Sequence, residues 1–198
     1  MKQRRLLNWI VLGLCLLMAA PGTSWAQSKG KILILMAEQN VQGEYLAWWT
    51  GHTRTEVDLS VVEGVLAQGL TEAGFDVIDP SVLEELRVEK AYKTVSLGVD
   101  EAVSVAQNYG ADMVLFGQAV AKATPSQIAG TRMMSAFANI SAKLVRISDR
   151  KVLGYFSASG DALHIDSLTG GREALEEGGQ QLLAKFLEKT APRAAPGP

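Results

Sequence analysis

Residues Ala136 to Leu144 read AFANISAKL. The even positions are Ala136, Ala138, Ile140, Ala142 and Leu144, and the odd ones between them are Phe137, Asn139, Ser141 and Lys143. Apolar residues at every second position are the signature of a strand with one packed face and one wetter face. Ser148-Asp149-Arg150 then makes a tight turn, and Lys151 to Ser159 (KVLGYFSAS) returns as the hairpin partner.

The sequence on either side fits a sheet built around this hairpin. Ala111 to Ala119 (ADMVLFGQA) reads as a buried strand, and Thr124 to Gly130 as loop chemistry. Near the start, Lys31 to Met36 (KILILM) is a continuous apolar run, as in a strand covered on both faces. Residues 37–57 show no clear period. Ser60 and Glu63 have capping-box spacing, and Val62, Leu66 and Leu70 recur at helical spacing up to Gly74. Phe75 to Asp79 is a short strand. Ser81 and Glu84 open a second helix that fades near Tyr92, and Asp100 caps a third that ends at Gly110. Gly170-Gly171 falls in a polar loop before a last helix, Glu173 to about Glu188, followed by an Ala/Pro tail over 191–198. The expected order is β-α-β-α-α-β-β-β-α, an α/β (α+β) chain with one mixed sheet and helices packed on it.

Several of these pieces together resemble a known group: the KILIL strand, the helix running to Gly74, FDVID, GADMVLFG, the hairpin ISAKLVRISDRKVLGYFSASG and the closing Ala/Leu helix. The chain is similar, over about residues 30–189, to the anticodon-binding-like α/β domain of exported bacterial envelope proteins. That group includes the middle domain of flagellar assembly protein T, the curli secretion protein CsgG, the N-terminal domain of TolB and the penicillin-binding-protein activator LpoB. The resemblance implies an assembly or adaptor module without a shared catalytic motif. The chain departs from the group in lacking a Gly in the 148–150 turn. It departs from the curli protein in lacking a lipid-anchor cysteine and barrel hairpins, which argues against a pore.

The first residues indicate export. Met1 to Arg5 is a positive n-region, Leu6 to Ala20 is apolar apart from Asn8, and Ser24 and Ala26 precede a cleavage point at Gln27. This is the pattern of a secretory signal peptide over residues 1–26, and the apolar run is too short for a membrane span. Cys15, the only cysteine, lies inside that run. A mature chain from Gln27 would therefore have no disulfide, thiolate metal site or Cys nucleophile. Loss of Lys2, Arg4 and Arg5 leaves 16 basic against 21 acidic residues, a net charge of −5. An acidic chain without a basic cluster argues against nucleic acid. The expected location is the periplasm, with no membrane segment after cleavage and a single domain over 27–190.

Motifs for chemistry are weak. Ser148 and Lys151 match Ser-x-x-Lys, but in a hairpin turn and with no downstream partner motif. His52 and His164 are far apart in sequence and have no second ligand at metal spacing. Glu84-Glu85 and Glu176-Glu177 read as solvated helix faces, and Gly170-Gly171-Arg172 as a loop. No cofactor is expected.

The segment Glu44 to His52 reads EYLAWWTGH. Neighbouring residues of an extended segment point to opposite sides, so one of Trp48 and Trp49 is expected to pack inward and the other outward. Tyr45, Trp48, Trp49 and His52 are thus the candidate partner-binding residues, the alternative being a lid over the core. The expected role is a non-enzymatic periplasmic assembly or adaptor protein, with a flagellar basal structure as one setting. Its partners would be envelope proteins or further copies of itself. The alternatives are a regulatory module for a cell-wall synthesis enzyme, and a ligand site between residues 37–57 and 165–171.

Overall fold

Among the described residues five strands form one mixed sheet in the order β2-β1-β3-β4-β5. They are β1 (Lys31–Gln39), β2 (Asp76–Ile78), β3 (Met113–Pro125), β4 (Met134–Arg146) and β5 (Val152–His164). Three helices accompany them, α1 (Val61–Glu72), α2 (Val99–Asn108) and α3 (Ser167–Thr190). The computed structural model describes residues 28–41, 60–78, 96–125 and 132–190. The helix expected over 81–92 lies outside them. β1 runs parallel to both β2 and β3, while β3, β4 and β5 form an antiparallel meander.

The alternation from Ala136 to Leu144 is realised residue by residue. Ala136, Ala138, Ile140, Ala142 and Leu144 are all buried, and the odd positions between them are exposed. The hairpin is longer at both ends than the period showed. Its turn is Ile147–Asp149, with Lys151 N–H donating to Asp149 Oδ1 at 3.2 Å. Arg150 takes the left-handed φ of 56° that other turns give to glycine, and its guanidinium reaches Asp100 at 3.0 Å.

The sheet separates two apolar layers. Ile32, Ile34 and Met36 of β1 face α1 and α3, whereas Leu33, Leu35 and Ala37 face α2. Burial on both faces is why the strand is apolar at every position from Ile32 to Ala37. β1 also runs on through Ala37, Glu38 and Gln39, where the sequence had lost its period. β3 continues to Pro125, two residues into the expected loop.

Helix starts follow local hydrogen bonding. Ser60 caps α1, with the Glu63 N–H donating to its Oγ at 3.2 Å and Gly74 beyond the end at φ 90°. α2 begins at Val99, one residue before the expected Asp100 cap. Gly98 has no side chain to cap with, and its N–H donates instead to Glu101 Oε2 at 2.8 Å.

The larger correction is at α3. Gly170-Gly171 was expected in a loop and lies inside the helix, which starts at Ser167. Asp166 caps it, accepting from the Thr169 N–H at 2.8 Å and the Thr169 hydroxyl at 2.7 Å. These bonds, the hydroxyl's first, hold the Asp166 carboxyl below its usual range. The glycines serve packing. Gly170, Gly171, Ala174, Gly178 and Gly179 are buried, and a Cβ on Gly178 would stand 2.9 Å from Ile140 Cδ1. A Cβ on Gly160 of β5 would overlap the Ala174 carbonyl oxygen. Helix and sheet therefore meet backbone to backbone. Phe186 closes the far end of this layer against Phe75 and Phe156, with ring centroids 5.7 and 5.4 Å away.

β5 is a long edge strand, which ordinarily exposes a row of backbone groups. Two of them are occupied by α3. Lys185 Nζ donates to the Ser157 carbonyl at 2.7 Å, and the Asp161 N–H donates to Glu177 Oε2 at 2.8 Å.

Candidate functional site

Tyr45, Trp48, Trp49 and His52 lie outside the described residues. What is described is the pair of ends from which their segment leaves and returns. β1 finishes at Gln39, and α1 is capped at Ser60. Among the described residues β2 pairs with β1 as far as Leu33, and no other strand lies on that side beyond this point. There the Glu63 carboxylate takes the place of a strand, accepting the Met36 N–H at 2.8 Å. Glu38 reciprocates, accepting the Val62 N–H of α1 at 2.9 Å. Strand and helix thus exchange carboxylate-to-amide hydrogen bonds. Burial pushes the Glu63 carboxyl up to about 8 against the pull of the Met36 and Ser60 N–H groups, and the neighbouring Glu38 adds to the rise.

The ligand site expected between 37–57 and 165–171 is changed by the same geometry. Asn40 Nδ2 does reach the Leu168 carbonyl at 3.1 Å, but Leu168 belongs to α3. A Cβ on Gly171 would overlap Asn40 Oδ1. The described parts of the two segments are packed together.

An open surface lies on the opposite side of the sheet. α2 covers Leu33, Leu35, Val114, Phe116 and Val145, and no helix among the described residues covers the outer face of the hairpin. Strand register arranges this face in rows. Leu35, Phe116, Lys143 and Tyr155 are successive cross-strand partners and form the first. Lys143 Nζ lies 5.9 Å from the Phe116 ring centroid and 5.8 Å from that of Tyr155. Gln118, Ser141 and Ser157 form the next row, then Val120, Asn139 and Ser159. Lys122, Phe137 and Asp161 form the fourth. Tyr155 is 67% and Phe137 50% exposed. Six residues of β4 separate their rows, so two rings bracket a strip of hydroxyls and amides roughly 20 Å long.

From the sequence, Phe137, Asn139, Ser141 and Lys143 form the wetter face, and Asn139, Ser141 and Lys143 are the next place for an interface if EYLAWWTGH is a lid. The sequence missed Tyr155 and Phe116, because only the register shows that they flank Lys143. Ser148 of the Ser-x-x-Lys match sits exposed in the hairpin turn. His164 Nδ1 accepts the Asp166 N–H at 2.9 Å. Among the described residues no group of three or more His, Cys, Asp or Glu is placed to hold a metal ion, and no helix is long and apolar enough to cross a membrane.

No protein-family model and no curated protein matches the sequence significantly. Solved structures do. The PelC dodecamer from Paraburkholderia phytofirmans is similar at 17% identity and a TM-score of 0.41, over 84% of this chain and 89% of that one. Lipoprotein GNA1162 from Neisseria meningitidis is similar at 18% identity and a TM-score of 0.43, over 81% and 97%. The LpoB C-terminal domain from Salmonella enterica is similar at 11% identity and a TM-score of 0.40, over 69% and 85%.

Proposed function

We propose that this chain is a non-enzymatic assembly or adaptor protein of the bacterial cell envelope, exported to the periplasm, which holds a protein partner on the open face of its hairpin. The observation that carries the reading is the bare face itself, where Tyr155 and Phe137 stand 67% and 50% exposed at the two ends of a polar strip. Large aromatic rings left in water on a regular sheet favour a covering surface, and Tyr is among the commonest interface anchors. Hydroxyls, amides, single lysines and rings are suited to holding a surface rather than to bond chemistry. The aromatic segment with Tyr45, Trp48, Trp49 and His52 supplies a second contact region in this reading. The sequence resemblance to a penicillin-binding-protein activator makes regulation of a cell-wall synthase the alternative.

The test is site-specific photo-cross-linking in living cells. A benzophenone side chain is placed at Ser141 or Ser159 on the face, and at Gln180 on exposed helix α3 as control. The expected result is one protein adduct formed from both face positions and not from Gln180. A cell-wall synthase in that adduct selects the regulatory alternative, a structural envelope component selects assembly, and a second copy of the chain shows self-association. Equal labelling from all three positions, or none from the face, would overturn the proposal.

A further inference from the structure

A hollow of about 350 Å³ opens at the Tyr155 end of the bare face, between the hairpin and the Ser96–Leu97 lead-in to α2. We propose that it binds the C-terminal carboxylate of a polypeptide whose last side chain is apolar, which rests on the reading of this face as protein-binding. Leu35, Leu97 and Phe116 line the hollow and Tyr155 stands beside it. Lys143 lies between the Phe116 and Tyr155 rings, its ammonium within 6 Å of both. Among the described residues no carboxylate pairs with it, the ion pairs there being Arg146 with Asp149 and Arg150 with Asp100. The rings orient this cation at the rim of a hollow lined by both apolar and polar groups, and among the described residues no acid cancels its charge.

The ligand that completes such a site is a single anion attached to a small apolar group. A phosphate dianion is matched better by a guanidinium fork or several amide donors than by one lysine. The row beside the hollow decides between an acyl chain and a peptide. Gln118 and Ser141 line the hollow with an amide and a hydroxyl. An alkyl chain laid over them would strip their water without replacing its hydrogen bonds. A peptide backbone replaces them, because it carries a donor and an acceptor at each residue. The assignment is therefore carboxylate on Lys143, last side chain on Leu35, Leu97 and Phe116, and preceding amide on Ser141 and Gln118.

The experiment uses the 15N-labelled chain from Gln27 to Pro198 and three probes: N-acetyl-Ser-Gly-Leu as the free acid, the same peptide as its C-terminal amide, and octanoate. The free acid is expected to move the backbone signals of Leu97, Phe116, Lys143 and Tyr155, and to bind about tenfold more tightly than the amide, the worth of one charge-assisted hydrogen bond. Lys143→Gln should abolish that difference while the melting temperature holds. Equal binding of acid and amide, shifts confined to another surface, or occupancy by octanoate alone would overturn the assignment. The reading of the face fails separately. Peptides that do not bind while Ser141 and Ser159 still cross-link a partner remove the carboxylate site alone. Peptides that bind without face cross-links leave the site and remove the wider interface.

Discussion

Glu63, in the first turn of α1, accepts the backbone N–H of Met36 in β1 at 2.8 Å, and both residues are buried. The bond satisfies a buried amide of β1 at the cost of burying a carboxyl beside Glu38.

That cost appears as a pH dependence. The folded chain holds the Glu63 proton up to about pH 8, whereas the unfolded chain releases it near the ordinary 4.5. Between those values the folded state binds more protons, so stability falls as pH rises through this window, by on the order of 4 kcal/mol, and levels off above it. Glu63→Gln keeps an acceptor for Met36 and cannot ionise. Its melting temperature should fall less than that of the wild type between pH 5 and 9. An unchanged slope in the variant would assign the loss to other groups.

The second prediction concerns the layer under α3. Ile140 is 2% exposed and faces Gly178. Ile140→Asp puts an unpaired carboxylate between sheet and helix and should cost more than about 4 kcal/mol, enough to unfold many domains of this size. Circular dichroism showing a wild-type melting transition would contradict the register that buries Ile140.

The layer also shows what a sequence can and cannot disclose. Alternation from Ala136 to Leu144 was legible because period two depends only on which residues leave water. Ser60 and Glu63 were legible as a cap because both partners lie within one turn. Gly170 and Gly171 were not, since a glycine that breaks a helix and one that lets a helix touch a sheet are the same letter. The difference is set by Asn40 and His164, which these glycines meet only in the folded chain. The bond from Glu63 to Met36 was hidden for a related reason, because it joins residues 27 apart in sequence that meet only in the folded chain. Lys143 was visible as an outward residue, but the rings of Phe116 and Tyr155 beside it needed the register of three strands.

Tyr155→Ser and Phe137→Ser test the open face. Each removes a ring that is half or more exposed, so stability should fall by no more than about 1 kcal/mol. Partner capture should weaken by about tenfold for an anchor worth roughly 1.4 kcal/mol. Capture at wild-type strength by both variants would move the interface elsewhere.

Trp48→Ala and Trp49→Ala separate the two roles considered for EYLAWWTGH. If one ring anchors a partner, its loss should cost about 2 kcal/mol of binding, roughly thirtyfold, with most stability retained. If both rings belong to the core, each variant should lose about 3–5 kcal/mol of stability, and any binding defect would only follow. Melting temperature and pull-down measured side by side on each variant decide between these.

Export predicts a mature N-terminus at Gln27 in the periplasmic fraction. Mass spectrometry of the purified protein finding Met1 intact in membranes would refute cleavage.

The side chains of α3 that reach β5 carry a consequence for life in a crowded compartment. A thirteen-residue edge strand offers neighbouring molecules a template, and addition of one strand to another is how fibrils grow. Here Lys185 holds the Ser157 carbonyl and Glu177 holds the Asp161 amide, so an incoming strand meets a lysine and a glutamate at two of the edge positions. Both residues sit on α3, which follows the hairpin in the chain and so emerges after it. Until α3 docks, those two edge positions of β5 stand open to pairing.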